Sequence, residues 1–240
     1  VAIEAGKYLK KCVLELGGSN AFIVLEDANL EKAVATAVNA RMQNAGQSCI
    51  AAKRFLVHEK IVDEFVAKFK VAIQNLKTGN PLDKETQIGS LARVDLAEEL
   101  ELQVQKSIQM GAKLIVGGNG KDAFYEPTIL TNVTTEMPVF KEETFGPVAA
   151  IITFKTIEEA IKLSNQSEFG LGVSIFTQDI DFIKTKISAF NEGAVFINDM
   201  VKSDPRLPFG GIKKSGYGRE LAEDGIKEFV NVKTVVINTF

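Results

Sequence analysis

Reactive side chains are scarce in this chain. Its 240 residues hold one histidine, His58, and two cysteines, Cys12 and Cys49. A cysteine protease pairs its thiol with a histidine. His58 closes a strand ahead of a charged turn and makes a weak partner for Cys49. Two cysteines and one histidine at no ligand-like spacing give no zinc site. Cysteines 37 positions apart form no disulfide framework, so a reducing, cytoplasmic setting is the default. Apolar runs are short as well. "PVAAIITF" suits a buried strand, whereas a membrane span needs about 20 residues. No signal peptide is legible, and the first residue, valine, fits a processed or truncated chain. Charge of one sign is also lacking: 28 Lys+Arg against 31 Asp+Glu gives −3, with no basic block. That predicts neither a nucleic acid nor a membrane surface as partner.

Phosphate fingerprints are missing too. "PFGGIKKSGYGRE" has Tyr217 where a P-loop lysine would follow Gly216, and Leu221 where G-x-G-x-x-G needs its last glycine. "VGGNGKDA" and "FGLGVSI" fail in the same way.

What is present is regular. "AFIVLE" and "KRFLVH" read as buried strands. Asn29 can cap a helix running to about residue 45, with Gly46 ending it. Ile61, Val62, Phe65, Val66, Phe69, Ile73 and Leu76 mark a second amphipathic helix. Residues 91–110 predict a third, and "AKLIVGG" a strand. Further strands near 148–154, 171–176 and 194–198 are separated by helices near 156–165 and 179–189. This alternation predicts an α/β fold with a largely parallel sheet flanked by helices. The tail "FVNVKTVVIN" reads as a lone terminal strand, either an edge or a strand lent to another subunit.

Two residues raise chemical questions. Cys49, in "QNAGQSCIAAKR", follows a helix end in a Gly-Gln-Ser loop. Free cysteines are mostly buried hydrophobes, yet loops on a rigid scaffold carry reactive groups. Cys12, in a strand beside Val13 and Leu14, reads as structural. Glu15 interrupts the apolar run "VLELGG" at a strand end. It either faces solvent or points into a site, and in α/β sheets sites gather at the carboxyl ends of strands.

The segments "LELGG", "NAGQSCIAAKR", "EETFGPV", "NQSEFGLGVSIFT", "GAVFIN" and "PFGGIKKSGYGRE" together resemble the catalytic and C-terminal portion of an aldehyde dehydrogenase, in the family's order and spacing. The resemblance covers essentially the whole chain. It implies that Cys49 is the nucleophile, its own N–H an oxyanion donor, and Glu15 the general base. Glu143 resembles the carboxylate that holds the nicotinamide ribose of NAD or NADP, with Phe145 near the nicotinamide. Leu16 and Gly17 would also border the cofactor. Asn198 resembles a mostly structural asparagine, and Phe209 a wall of the aldehyde pocket.

The resemblance is greatest to succinate-semialdehyde dehydrogenases, in "NDMVKSDPRLPFGGIKKSGYGREL". Ser203 matches a serine for the substrate carboxylate, but Gln43 stands where that branch has an arginine. Lys202 and Arg206 could supply positive charge instead. Ala51 excludes a disulfide two residues past Cys49. Residues 1–17 are expected to be the final strand of an otherwise absent cofactor-binding domain, 18–218 the catalytic domain, and 219–240 a helical turn and oligomerisation strand. The missing part would hold a cofactor lysine and the asparagine of the oxyanion hole. A homodimer or homotetramer acting on a small aldehyde is expected. The rival reading is a catalytically silent fragment that only folds and associates.

Overall fold

The computed structural model describes residues 1–240. Seven strands form the central sheet: β1 (Asn20–Val24), β2 (Ala52–His58), β3 (Lys113–Val116), β4 (Thr128–Thr131), β5 (Val148–Phe154), β6 (Val173–Phe176) and β7 (Val195–Ile197). Their order across the sheet is β7-β6-β1-β2-β5-β4-β3. Every pairing is parallel except the last, where β3 runs antiparallel to β4. The fold class read from the alternation therefore holds.

Helices α1 (Leu30–Met42), α2 (Val62–Gln74), α3 (Val94–Gln109) and α4 (Ile157–Asn165) link and cover the strands. Asn29 caps α1 as expected, its side chain accepting from the Lys32 N–H at 3.1 Å. The helix stops at Met42, short of the expected residue 45. Asn44 and Ala45 follow in left-handed backbone (φ 53° and 51°), which no helix tolerates.

The core is aromatic at its centre. Phe22 of β1 lies between Phe55 of β2 (5.2 Å between centroids) and Phe176 of β6 (4.6 Å). Phe69 of α2 packs 5.2 Å from Phe55 on the same side. All of these rings are buried. β2 is the middle strand and every one of its residues is buried, Lys53 and Arg54 included. Arg54 is satisfied by carbonyls of Ser19, Leu163 and Ser164 (2.9, 2.7 and 3.1 Å). The last two belong to the C-terminal turn of α4, where a cation meets the negative end of the helix dipole.

The two ends of the chain are held differently. Residues 1–17 do not form one strand: Ala2–Lys7 is a short helix, and only Leu14–Glu15 pairs, antiparallel to Gly216–Tyr217. Cys12 lies outside any strand, its Sγ 2.9 Å from the Tyr217 hydroxyl. Residues 231–240 form no regular element and stand exposed. A strand is held by hydrogen bonds to a neighbour, and this segment has none within the chain.

Candidate active site

The parallel strands fix where the candidate residues meet. Glu15, Leu16, Gly17 and Gly18 precede β1, Cys49 precedes β2, and Glu143 and Phe145 precede β5. Because these strands are parallel neighbours, their leading segments converge at the amino edge of the sheet. Glu15 ends the short strand Leu14–Glu15, as expected, and at the same time leads into the central sheet at the amino edge of β1.

Two glycines set the spacing at this edge. A Cβ on Gly17 would overlap Glu143 Oε2, and one on Gly18 would overlap the Cys49 carbonyl oxygen. Only glycine lets the chain pass between the Cys49 turn and Glu143 this closely. The Gly18 N–H donates to Glu143 Oε1 at 2.9 Å and ties the first segment to the third. Asn20 ties it to the second, donating to the Ile50 carbonyl at 2.9 Å while its oxygen accepts the Gly172 N–H at 3.0 Å.

Cys49 is half-buried and unbonded to another cysteine. Burial pushes its thiol above the ordinary value. Lys53 and the Ile50 N–H pull it back, while Glu143 and Glu15 push it further up. Glu15 has both carboxylate oxygens buried without a hydrogen-bond partner. Burial raises its pKa, Glu220 adds to the rise, and the nearby Gly211 N–H and Arg219 oppose it. The Gly211 N–H faces Glu15 outside hydrogen-bond geometry, so it offsets the burial only in part. A carboxylate so placed is a poor resident of a core and a good proton acceptor.

Sequence reasoning missed the cations beneath this edge. Lys53 has no exposed side-chain surface and lies 3.1 Å from Glu143 Oε1. It also donates to the carbonyls of Ser48 (2.9 Å) and Cys49 (3.2 Å). Burial, with Arg41 adding to it and Glu143 working against both, brings the pKa of Lys53 down to about 8. Arg41 is buried too, one nitrogen donating to the Gly46 carbonyl at 2.5 Å and the other two without partners. The available signal was "AAKRFLVH" itself: two adjacent cations in a strand that must be buried on both faces.

Phe145 is 37% exposed, with Lys53 Nζ 5.9 Å from its ring centroid. Glu143, Phe145, Gln103 and Glu142 border a cavity of about 410 Å³ against α3. Leu16 is exposed and held by the Ser215 carbonyl at 3.0 Å. Phe209 is buried, its backbone bridged to Glu220. Asn198 bonds both backbone groups of Thr177 (3.0 and 2.9 Å) from a left-handed conformation. The expected substrate cations are already partnered. Lys202 pairs with Asp199 at 2.5 Å, and Arg206 grips Asp204 through two nitrogens (2.9 and 2.6 Å). Ser203 stands exposed between them, and Gln43 is exposed at the start of the kinked turn.

The aldehyde dehydrogenase family model matches residues 1–235, and the chain belongs to that family. Among curated relatives, the succinate semialdehyde dehydrogenase Sad of Escherichia coli, named for NAD(P)+, is 51% identical over 238 residues, covering 98% of this chain and 52% of the relative. The NADP+ succinate-semialdehyde dehydrogenase of Mycobacterium leprae is 48% identical over 240 residues, 99% of this chain and 52% of the relative. The crystal structure of succinic semialdehyde dehydrogenase from Streptococcus pyogenes, in complex with NADP+, superposes with a TM-score of 0.94 at 40% identity, covering 99% of this chain and 53% of that one. The chain thus spans about half the length of the relatives it matches. No helix is long and apolar enough to cross a membrane.

Proposed function

We propose that this chain carries the thiol and base of an enzyme that oxidises an aldehyde to its carboxylic acid with NAD+ or NADP+, with succinic semialdehyde as substrate. The observation that carries the reading is the convergence of Cys49, Glu15 and Glu143 at one sheet edge, spaced by Gly17 and Gly18. The names of the relatives support the substrate and the cofactor.

In this reading the Cys49 thiolate adds to the aldehyde carbon, and the backbone N–H of Cys49 steadies the oxyanion. A bound nicotinamide supplies the hydride acceptor. The carbon keeps its bond to sulfur and becomes a thioester. Glu15 then takes a proton from the water that attacks it, and the acid leaves as the thiol is restored. Glu143 suits a ribose hydroxyl: Oε1 is occupied by the Gly18 N–H and Lys53, while Oε2 takes no hydrogen bond within the chain. The exposed face of Phe145 suits the nicotinamide ring. Ser203 is our candidate for the substrate carboxylate, since Lys202 and Arg206 are engaged by aspartates. Residues 18–218 form the catalytic unit, and the apolar tail, with Val232, Val235, Val236 and Ile237 exposed, pairs with a second subunit of a homodimer or homotetramer.

Cys49→Ala in the protein at its native length should abolish acid formation from succinic semialdehyde. Turnover surviving that change would end the reading.

A further inference from the structure

Lys53 is the charged group that this scheme leaves idle. Its ammonium has three acceptors drawn from two segments: the Ser48 carbonyl, the Cys49 carbonyl and Glu143 Oε1, at 2.9, 3.2 and 3.1 Å. A lysine has three protons to donate, so the group is saturated. It is also sealed from water, and any movement strands buried acceptors.

The charges around it are unequal. Those facing Lys53 are Arg41, Glu143 and Cys49, and those facing Cys49 are Lys53, Glu143 and Glu15. Arg41 and Lys53 are both buried at this edge, and a guanidinium does not give up its proton. Of the charges facing the thiol, Lys53 alone is positive, against the carboxylates of Glu143 and Glu15. Lys53 is therefore the one charge that attracts a thiolate at Cys49.

We propose that Lys53 is a positioning residue: it clamps the Cys49 turn to Glu143 and supplies positive charge that favours the Cys49 thiolate. The proposal rests on the roles given to Cys49 and Glu143 above. Lys53 touches no reacting atom. It acts through the carbonyl of the residue bearing the thiol and through the carboxylate offered to the ribose.

The test uses Lys53→Met, which keeps the length of the side chain and removes its charge and donors, in the protein at its native length. Iodoacetamide alkylation of the Cys49 peptide is followed by mass spectrometry across pH. The midpoint is expected to rise by about one unit, so that alkylation at pH 7 slows by about tenfold. NADPH binding, measured by fluorescence titration, is expected to weaken as Glu143 loses its anchor. Glu143→Gln should move the alkylation midpoint the opposite way, because its charge opposes the thiolate. If the methionine variant fails to fold, Lys53→Gln carries the test, since its amide still reaches for the carbonyls without the charge. A parental alkylation midpoint in whichever variant folds overturns the proposal, even where the melting temperature falls. Acid formation persisting in Cys49→Ala would instead overturn the functional reading, and so separates the two failures.

Discussion

Gly18→Ala is the smallest change expected to disable the candidate site while leaving every reactive group in place. A Cβ at Gly18 would overlap the Cys49 carbonyl oxygen, with the Leu171 side chain 3.5 Å away. The carbonyl cannot swing aside as a side-chain tip could. It is backbone, and Lys53 holds it at 3.2 Å. The two segments must separate by about 1 Å to restore ordinary contact, and a misplacement of that size costs on the order of 100-fold in rate. The fold itself should tolerate the methyl. Gly18 does not need left-handed backbone, and overpacking of this kind typically costs about 1–3 kcal/mol. In the protein at native length, kcat/KM for succinic semialdehyde should fall by about 100-fold, with the transition still cooperative in thermal melts. Gly17→Ala makes a useful companion. Its Cβ would meet the end of the Glu143 side chain, which can rotate away, so the loss should appear mainly in the KM for NADP+. A Gly18→Ala enzyme within about twofold of the parent would refute the tight-spacing argument.

Other outcomes can be checked alongside. Glu15 must be ionised to accept a proton, and its raised pKa places the acid limb of the pH–kcat profile above that of an exposed carboxylate. Activity is therefore lost as pH falls through that value, and Glu220→Gln, which removes a charge raising it, should shift the limb to lower pH. Glu15→Gln should leave a burst of NADPH and stall turnover at thioester hydrolysis. Phe55→Ala empties the centre of the aromatic cluster and should cost about 3–5 kcal/mol in urea unfolding. Lys202→Ala and Arg206→Ala should each change kcat/KM for succinic semialdehyde less than Ser203→Ala does, because both charges are exposed and already paired.

How far the sequence could be read depended on which interactions were local. Asn29 announced the start of α1 because an N-cap is a contact three residues long. The end of α1 was hidden. Ala45 carries no sign that it will adopt left-handed backbone, which tertiary packing imposes. The buried strands were legible from their apolar runs. The same runs signal the burial of Lys53 and Arg54, but the acceptors that satisfy them, supplied by Glu143, Ser19 and the end of α4, were not legible. Glu15 and Cys49 stood out as chemically odd within their own segments. That they meet at the amino edge of the sheet follows from the parallel register, which no single segment encodes. The tail read as a strand on its alternating pattern, and within the chain residues 231–240 pair with nothing.

The pairing of Leu14–Glu15 with Gly216–Tyr217 bears on how the protein is made. The groups that surround Glu15, among them Gly211, Arg219 and Glu220, lie about 200 residues downstream of it. At a ribosomal pace of about 5–20 residues per second, they emerge some 10–40 s after Glu15 does. Through that interval Cys49 is already synthesised while Glu15 still lacks its surroundings. The nascent chain therefore carries Cys49 and Glu15 long before the segment that pairs with Glu15 has been made.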